Sequence, residues 1–103
     1  MVEHLVLFEF ESLSAEGEKE LVDLASSFKD HIPGILELSF GRNISPGERA
    51  QGFNYALRVK FQDVSCLRNY GPHPKHQEFV QAISPYKKNL ICVDFQDEIS
   101  FSQ

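Results

Sequence analysis

The chain has 103 residues, 42% of them apolar, with nine Phe and three Tyr among its aromatics and a net charge of −5. That length fits one domain over residues 1–103 with a single core. The acidic balance excludes nucleic acid and anionic membrane as partners, because neither rewards a negative surface. No apolar run reaches membrane-spanning length. The Met1-Val2-Glu3-His4 start lacks the basic and apolar segments of a secretory leader, so a cytoplasmic location is expected.

Residues 2–10 alternate, with Val2, His4, Val6, Phe8 and Phe10 on one face and Glu3, Leu5, Leu7 and Glu9 on the other. A period of two predicts a strand. Leu5 and Leu7 make its second face apolar too, and a small domain has helices enough to cover one sheet face. A homodimer is therefore expected, with the second face buried between two copies. Ser14 is a good N-cap for a helix over 15–31, whose stripe is Leu21, Leu24, Ala25, Phe28 and Ile32. Pro33-Gly34 stops it.

Ile35 to Arg42 reads as a second strand and Asn43 to Gln51 as a loop. Phe53 to Phe61 is the cleanest strand, with Phe53, Tyr55, Leu57, Val59 and Phe61 on one face. Asp63 caps a short helix through Tyr70, Pro74 opens another to Ile83, and Leu90 to Phe95 is a final strand. The order β-α-β-β-α-β predicts an α+β, ferredoxin-like fold. Cys66 and Cys92 lack CxxC spacing and read as small buried residues in a reducing compartment.

Tyr70-Gly-Pro-His73-Pro-Lys-His76 places a phenol and two imidazoles in one loop running into a helix. His73 falls at the N-cap and His76 in the first turn, where the helix dipole disfavours an imidazolium and keeps the ring neutral. A neutral imidazole beside a phenol is an acid/base pair. Strand parity turns His4 and Tyr55 toward the helices as well, so His4, Tyr55, Tyr70, His73 and His76 are expected around one cavity, the usual pattern of a small-molecule site. Each also has a structural reading. His4 is equally a hydrogen-bonded core residue, Tyr55 a core tyrosine with its hydroxyl at the surface, and His73 a cap. His31, near a helix C-terminus, reads as structural. His73-x-x-His76 lacks the further ligands a zinc site needs, and no phosphate loop or nucleophile motif is present.

These segments resemble the stress-responsive dimeric A/B barrel (Dabb) family. The resemblance runs through His4-Leu-Val-Leu-Phe-Glu-Phe10, Ile32-Pro-Gly34, Phe40-Gly-Arg-Asn43 and Gly52-Phe-Asn-Tyr55, and is most specific in Tyr70-Gly-Pro-His73-Pro-Lys-His76. It implies a homodimeric α+β barrel and a cofactor-independent polyketide cyclase activity, closing a ring in a poly-β-ketide by aldol-type condensation. Tyr70 and His76 match the family's catalytic pair, and His4, Tyr55 and His73 match its substrate-binding positions. At one of these the family pattern has histidine where this chain has Tyr55, and Gly71-Pro72 replaces larger apolar residues. The resemblance further implies a structural Mg2+ held by the main-chain carbonyls of Lys29, Ile32 and Ile35. Two other functions accompany the family: a non-catalytic, stress-responsive protein that binds a small apolar ligand, and a cofactor-free monooxygenase.

Overall fold

A computed structural model describes residues 1–97. Strand β1 (Val2–Phe10) buries Val2, His4, Val6, Phe8 and Phe10, the face that the alternation assigns to the core. Helix α1 (Ala15–His31) starts at Ser14, whose hydroxyl accepts from the Gly17 N–H at 3.0 Å. Such a cap is worth about 1 kcal/mol. Leu21, Ala25 and Phe28 form the stripe that α1 buries. The chain then turns at Gly34, where φ is +88° and an added Cβ would lie 2.3 Å from the Cys66 sulfur. Glycine alone meets both demands.

Strand β2 (Ile35–Arg42) follows, then a single helical turn, α2 (Gly47–Ala50), in the segment expected to be irregular. Strand β3 (Tyr55–Phe61) begins later than Phe53, because the Asn54 side chain takes the place of a ladder residue. Its amide oxygen accepts from the Phe10 N–H and its amide nitrogen donates to the Phe10 carbonyl, both at 2.9 Å. Helix α3 (Val64–Tyr70) is capped by the Asp63 carboxylate, which accepts from the Cys66 N–H at 2.9 Å. Helix α4 (Pro74–Ile83) has Pro74 in its first turn, as expected. Strand β4 starts at Lys87 rather than Leu90 and runs to Gln96. Lys87 and Asn89 pair with Phe10 and Glu9, since an edge strand accommodates charge that a central one would not.

The strand order is β2-β3-β1-β4, with every neighbouring pair antiparallel, which is the ferredoxin-like sheet. Phe28, Phe79 and Ile83 from α1 and α4 close over Phe8, Leu57, Val59 and Phe61 on the inner face. Among the described residues, no helix is long and apolar enough to cross a membrane.

The outer face carries Leu5, Leu7 and Ala56 beside Ile91, Val93 and Phe95, placed together by the register Leu5↔Val93, Leu7↔Ile91 and Leu7↔Ala56. Leu7, Ile91, Val93 and Phe95 remain 40–50% exposed there. Beside them Arg58 donates to Glu3 at 3.0 Å and to Glu37 at 3.2 Å.

Candidate functional site

A cavity of about 220 Å3 opens between the inner sheet face and α4. Strand parity supplies His4, Val6 and Phe8 from β1, Leu57 from β3, and Leu90 and Cys92 from β4. The end of α3 supplies Tyr70, and α4 supplies His76, Phe79, Val80 and Ile83. Among the described residues of this lining, Lys87 is the one permanently charged side chain.

Tyr70 is 2% exposed, ringed edge-on by Phe28, Phe61 and His4. Its hydroxyl is buried without a hydrogen-bond partner among the described residues. Burial first, then the neighbouring Cys92 and Asp94, push the phenol well above its ordinary value of 10, so it stays a donor at any physiological pH. The His76 ring lies 4.2 Å from the Tyr70 ring, centroid to centroid. Its Nδ1 is 2.8 Å from the Gly71 carbonyl oxygen. A carbonyl accepts and never donates, so Nδ1 carries the proton and Nε2 is the basic nitrogen of the neutral ring. His76 is held below its usual 6.5, chiefly by burial, with the electrostatic influence of the nearby His4 adding to the effect and the Gly71 bond opposing it. Desolvation is thus the leading influence favouring the neutral imidazole, where the sequence points to the helix dipole.

His4 reaches the same cavity from β1. Its Nδ1 lies 2.5 Å from Asp94 Oδ1, directly across the β1–β4 pair, and 3.6 Å from the Cys92 sulfur. The sequence alone does not single out Asp94 or Cys92 for this cavity. The signal for them was parity: Leu90, Cys92 and Asp94 alternate on the face that pairs with Phe8, Val6 and His4. Cys92 is also exposed, contrary to the expectation of two buried cysteines, because β4 is an edge strand; Cys66 is half-buried and both thiols are free.

Two expected members lie elsewhere. Tyr55 faces inward but pairs with Phe8, whereas His4 pairs with Val59, so the register puts them four residues apart along the sheet. At about 3.3 Å per residue that is some 13 Å. Tyr55 stacks on Phe40 with centroids 5.8 Å apart and donates its hydroxyl to Glu18, which Arg42 grips with two bonds of 2.7 Å. The Arg42 bonds, then the Tyr55 bond, bring the Glu18 carboxyl down to about 2. His73 is the N-cap of α4, its Nδ1 accepting from the Lys75 N–H at 3.1 Å, and is not part of the cavity wall. His31 is exposed and bonds the Ser27 carbonyl.

Lys29 lies in the last turn of α1, Ile32 is its C-cap, and Ile35 opens β2. The residue four beyond Lys29 is Pro33, which has no N–H to offer the Lys29 carbonyl. A main-chain oxygen freed at a helix end, as at Lys29, is the donor type that a hard cation such as Mg2+ would take, and its role there would be to hold the α1–β2 turn.

Olivetolic acid cyclase from Cannabis sativa is 22% identical over 95 residues, covering 91% of this chain and 94% of that protein. Hydroxynitrile lyase from Passiflora edulis superposes with a TM-score of 0.84 at 22% identity, covering 98% of this chain and 96% of that one. A dimeric ferredoxin-like protein from Jannaschia sp. gives a TM-score of 0.81 at 24% identity, covering 92% and 97%. At such identities the two solved structures establish the fold alone. The family described as Stress responsive A/B Barrel Domain matches residues 2–97, nearly the whole chain. With its ferredoxin-like sheet and that match, this chain belongs to the stress-responsive A/B barrel (Dabb) family.

Proposed function

We propose that this chain is a cofactor-independent, polyketide cyclase-like acid/base catalyst that closes a ring in a poly-β-ketide by aldol-type condensation. The observation that carries the reading is the Tyr70 hydroxyl, buried without a partner beside a neutral His76 on an apolar cavity wall. Nε2 of His76 takes the acidic proton between two substrate carbonyls. The carbanion attacks a ketone further along the same chain, forming the carbon–carbon bond as that carbonyl's π bond breaks. Tyr70 donates to the oxyanion, and the His76 imidazolium returns the proton to the alkoxide. His4, braced by Asp94, orients the substrate. Of the three expected substrate-binding residues it alone lines the cavity; Tyr55 and His73 hold structure. A volume of 220 Å3 compares with the ~150 Å3 that holds a benzene, which suits one ring with a short apolar substituent. The name of the cannabis relative agrees with this chemistry.

The working form is a homodimer joined through the outer sheet face. Its exposed Leu7, Ile91, Val93 and Phe95 call for a cover, and Glu3 Oε1 is buried there without a partner among the described residues. The Jannaschia neighbour is described as dimeric, which supports a homodimer without indicating the face. The chemistry requires no cofactor, and Mg2+ at Lys29, Ile32 and Ile35 is structural. Two free thiols fit a cytoplasmic setting.

One observation favours a second reading, a non-catalytic stress-responsive binder of a small apolar ligand: Tyr55 is tied to Glu18, so the cavity lacks the additional polar ring of the family pattern. Incubating the protein with a linear poly-β-keto thioester, while measuring ligand affinity in parallel, decides between the two. The cyclase reading expects ring-closed product, none from His76→Ala, and affinity retained in that variant. Tight binding with no product from the wild type would establish the binder instead.

A further inference from the structure

We propose that His4, Cys92 and Asp94 form a binding site for one borderline-soft divalent cation of the zinc class, set in the cavity wall. These are an imidazole nitrogen, a thiol sulfur and a carboxylate oxygen, the donor types zinc takes, and their ligand atoms all lie within 4.8 Å of one another. The register produces the cluster: His4 and Asp94 are cross-strand partners, and Cys92 is two residues before Asp94 on the same face.

The spacings decide which metal geometry fits. Metal–donor distances of about 2.0–2.3 Å in a tetrahedron give donor–donor edges of roughly 3.3–3.6 Å. The sulfur is 3.6 Å from His4 Nδ1 and 3.8 Å from Asp94 Oδ1, already close to such edges. The nitrogen–oxygen edge, 2.5 Å as a hydrogen bond, has to open by a little under ~1 Å. Asp94 and Cys92 are exposed on an edge strand, so that movement disturbs no core packing. His4 and Cys92 both line the cavity, which leaves the fourth coordination position facing it. Binding releases the Cys92 thiol proton and replaces the proton in the His4–Asp94 hydrogen bond, giving a thiolate, an imidazole nitrogen and a carboxylate as ligands.

The site reaches beyond the acid/base reading, since neither Tyr70 nor His76 belongs to it. A bound cation there occupies His4 and the adjoining cavity space, and so competes with the apolar ligand.

The test is a titration of the metal-free protein with Co2+, followed by displacement with Zn2+. The expected result is a thiolate-to-cobalt charge-transfer band saturating at one ion per chain and removed by one equivalent of Zn2+. Cys92→Ser should abolish the band, and Asp94→Asn should weaken Zn2+ binding by more than ~10-fold, the least that losing a supporting group usually costs. Cys66→Ser should change nothing. Absence of the band in wild type, or its persistence in Cys92→Ser, would overturn the site. Because the readout is spectroscopic, a failed site leaves the ring-closure assay untouched, and a failed assay leaves the site standing.

Discussion

A phenol buried without a partner forfeits a hydrogen bond that it would make in water, and the fold tolerates that loss at Tyr70. Tyr70→Phe should therefore leave stability unchanged or raise it by about 1 kcal/mol in urea unfolding. The same change should slow ring closure ten- to a thousandfold, as expected when one oxyanion donor is lost, while ligand affinity holds. A variant that is both less stable and equally active would mark Tyr70 as a packing residue. His76 has the complementary signature. Its pKa in the fold lies below the roughly 6.5 of the unfolded chain, so between the two values the unfolded chain holds more protons. Stability should then fall as pH drops below ~6.5 and gain no pH dependence from this residue above it. His76→Gln should flatten that part of the slope when unfolding is followed at pH 5, 6 and 7.

At the level of elements, helices and faces were readable from the chain, and positions along strands were not. Ser14, Asp63 and Pro74 marked helix starts because capping is local chemistry. Period-two patterns assigned His4 and Tyr55 to one face, and they share it. Their separation comes from the β1–β3 register, which is fixed by pairings between residues far apart in sequence. The same non-local pairing brought Asp94 and Cys92 to His4, and a polar lysine pair concealed the start of β4. His73 shows how one residue type serves two readings, and its role is separable. His73→Ala should lower stability by about 1 kcal/mol through loss of the α4 cap, while His73→Ser, itself a good cap, restores it. Both variants should bind ligand as wild type does; a matched loss of affinity in the two would return His73 to the binding site. Mg2+ added to metal-free protein should raise Tm if the α1–β2 carbonyls hold it, and an unchanged Tm would remove that site.

For the molecule as a whole, the exposed apolar outer sheet face is where the proposed homodimer would join. Val93→Glu should convert a dimer to a monomer in light scattering at micromolar concentration, because it places a charge amid Leu5, Leu7 and Ile91. A wild type that is monomeric would refute the sheet-to-sheet dimer. The central claim, that a neutral His76 and a protonated Tyr70 perform acid/base chemistry in this cavity, meets its most direct test in the pH dependence of kcat/KM for ring closure. Burial lowers the first group and raises the second, so the profile should climb through an acid limb with its midpoint below 6.5 and stay level through pH 10. A profile without the acid limb, or one that declines between pH 8 and pH 10, would contradict the account.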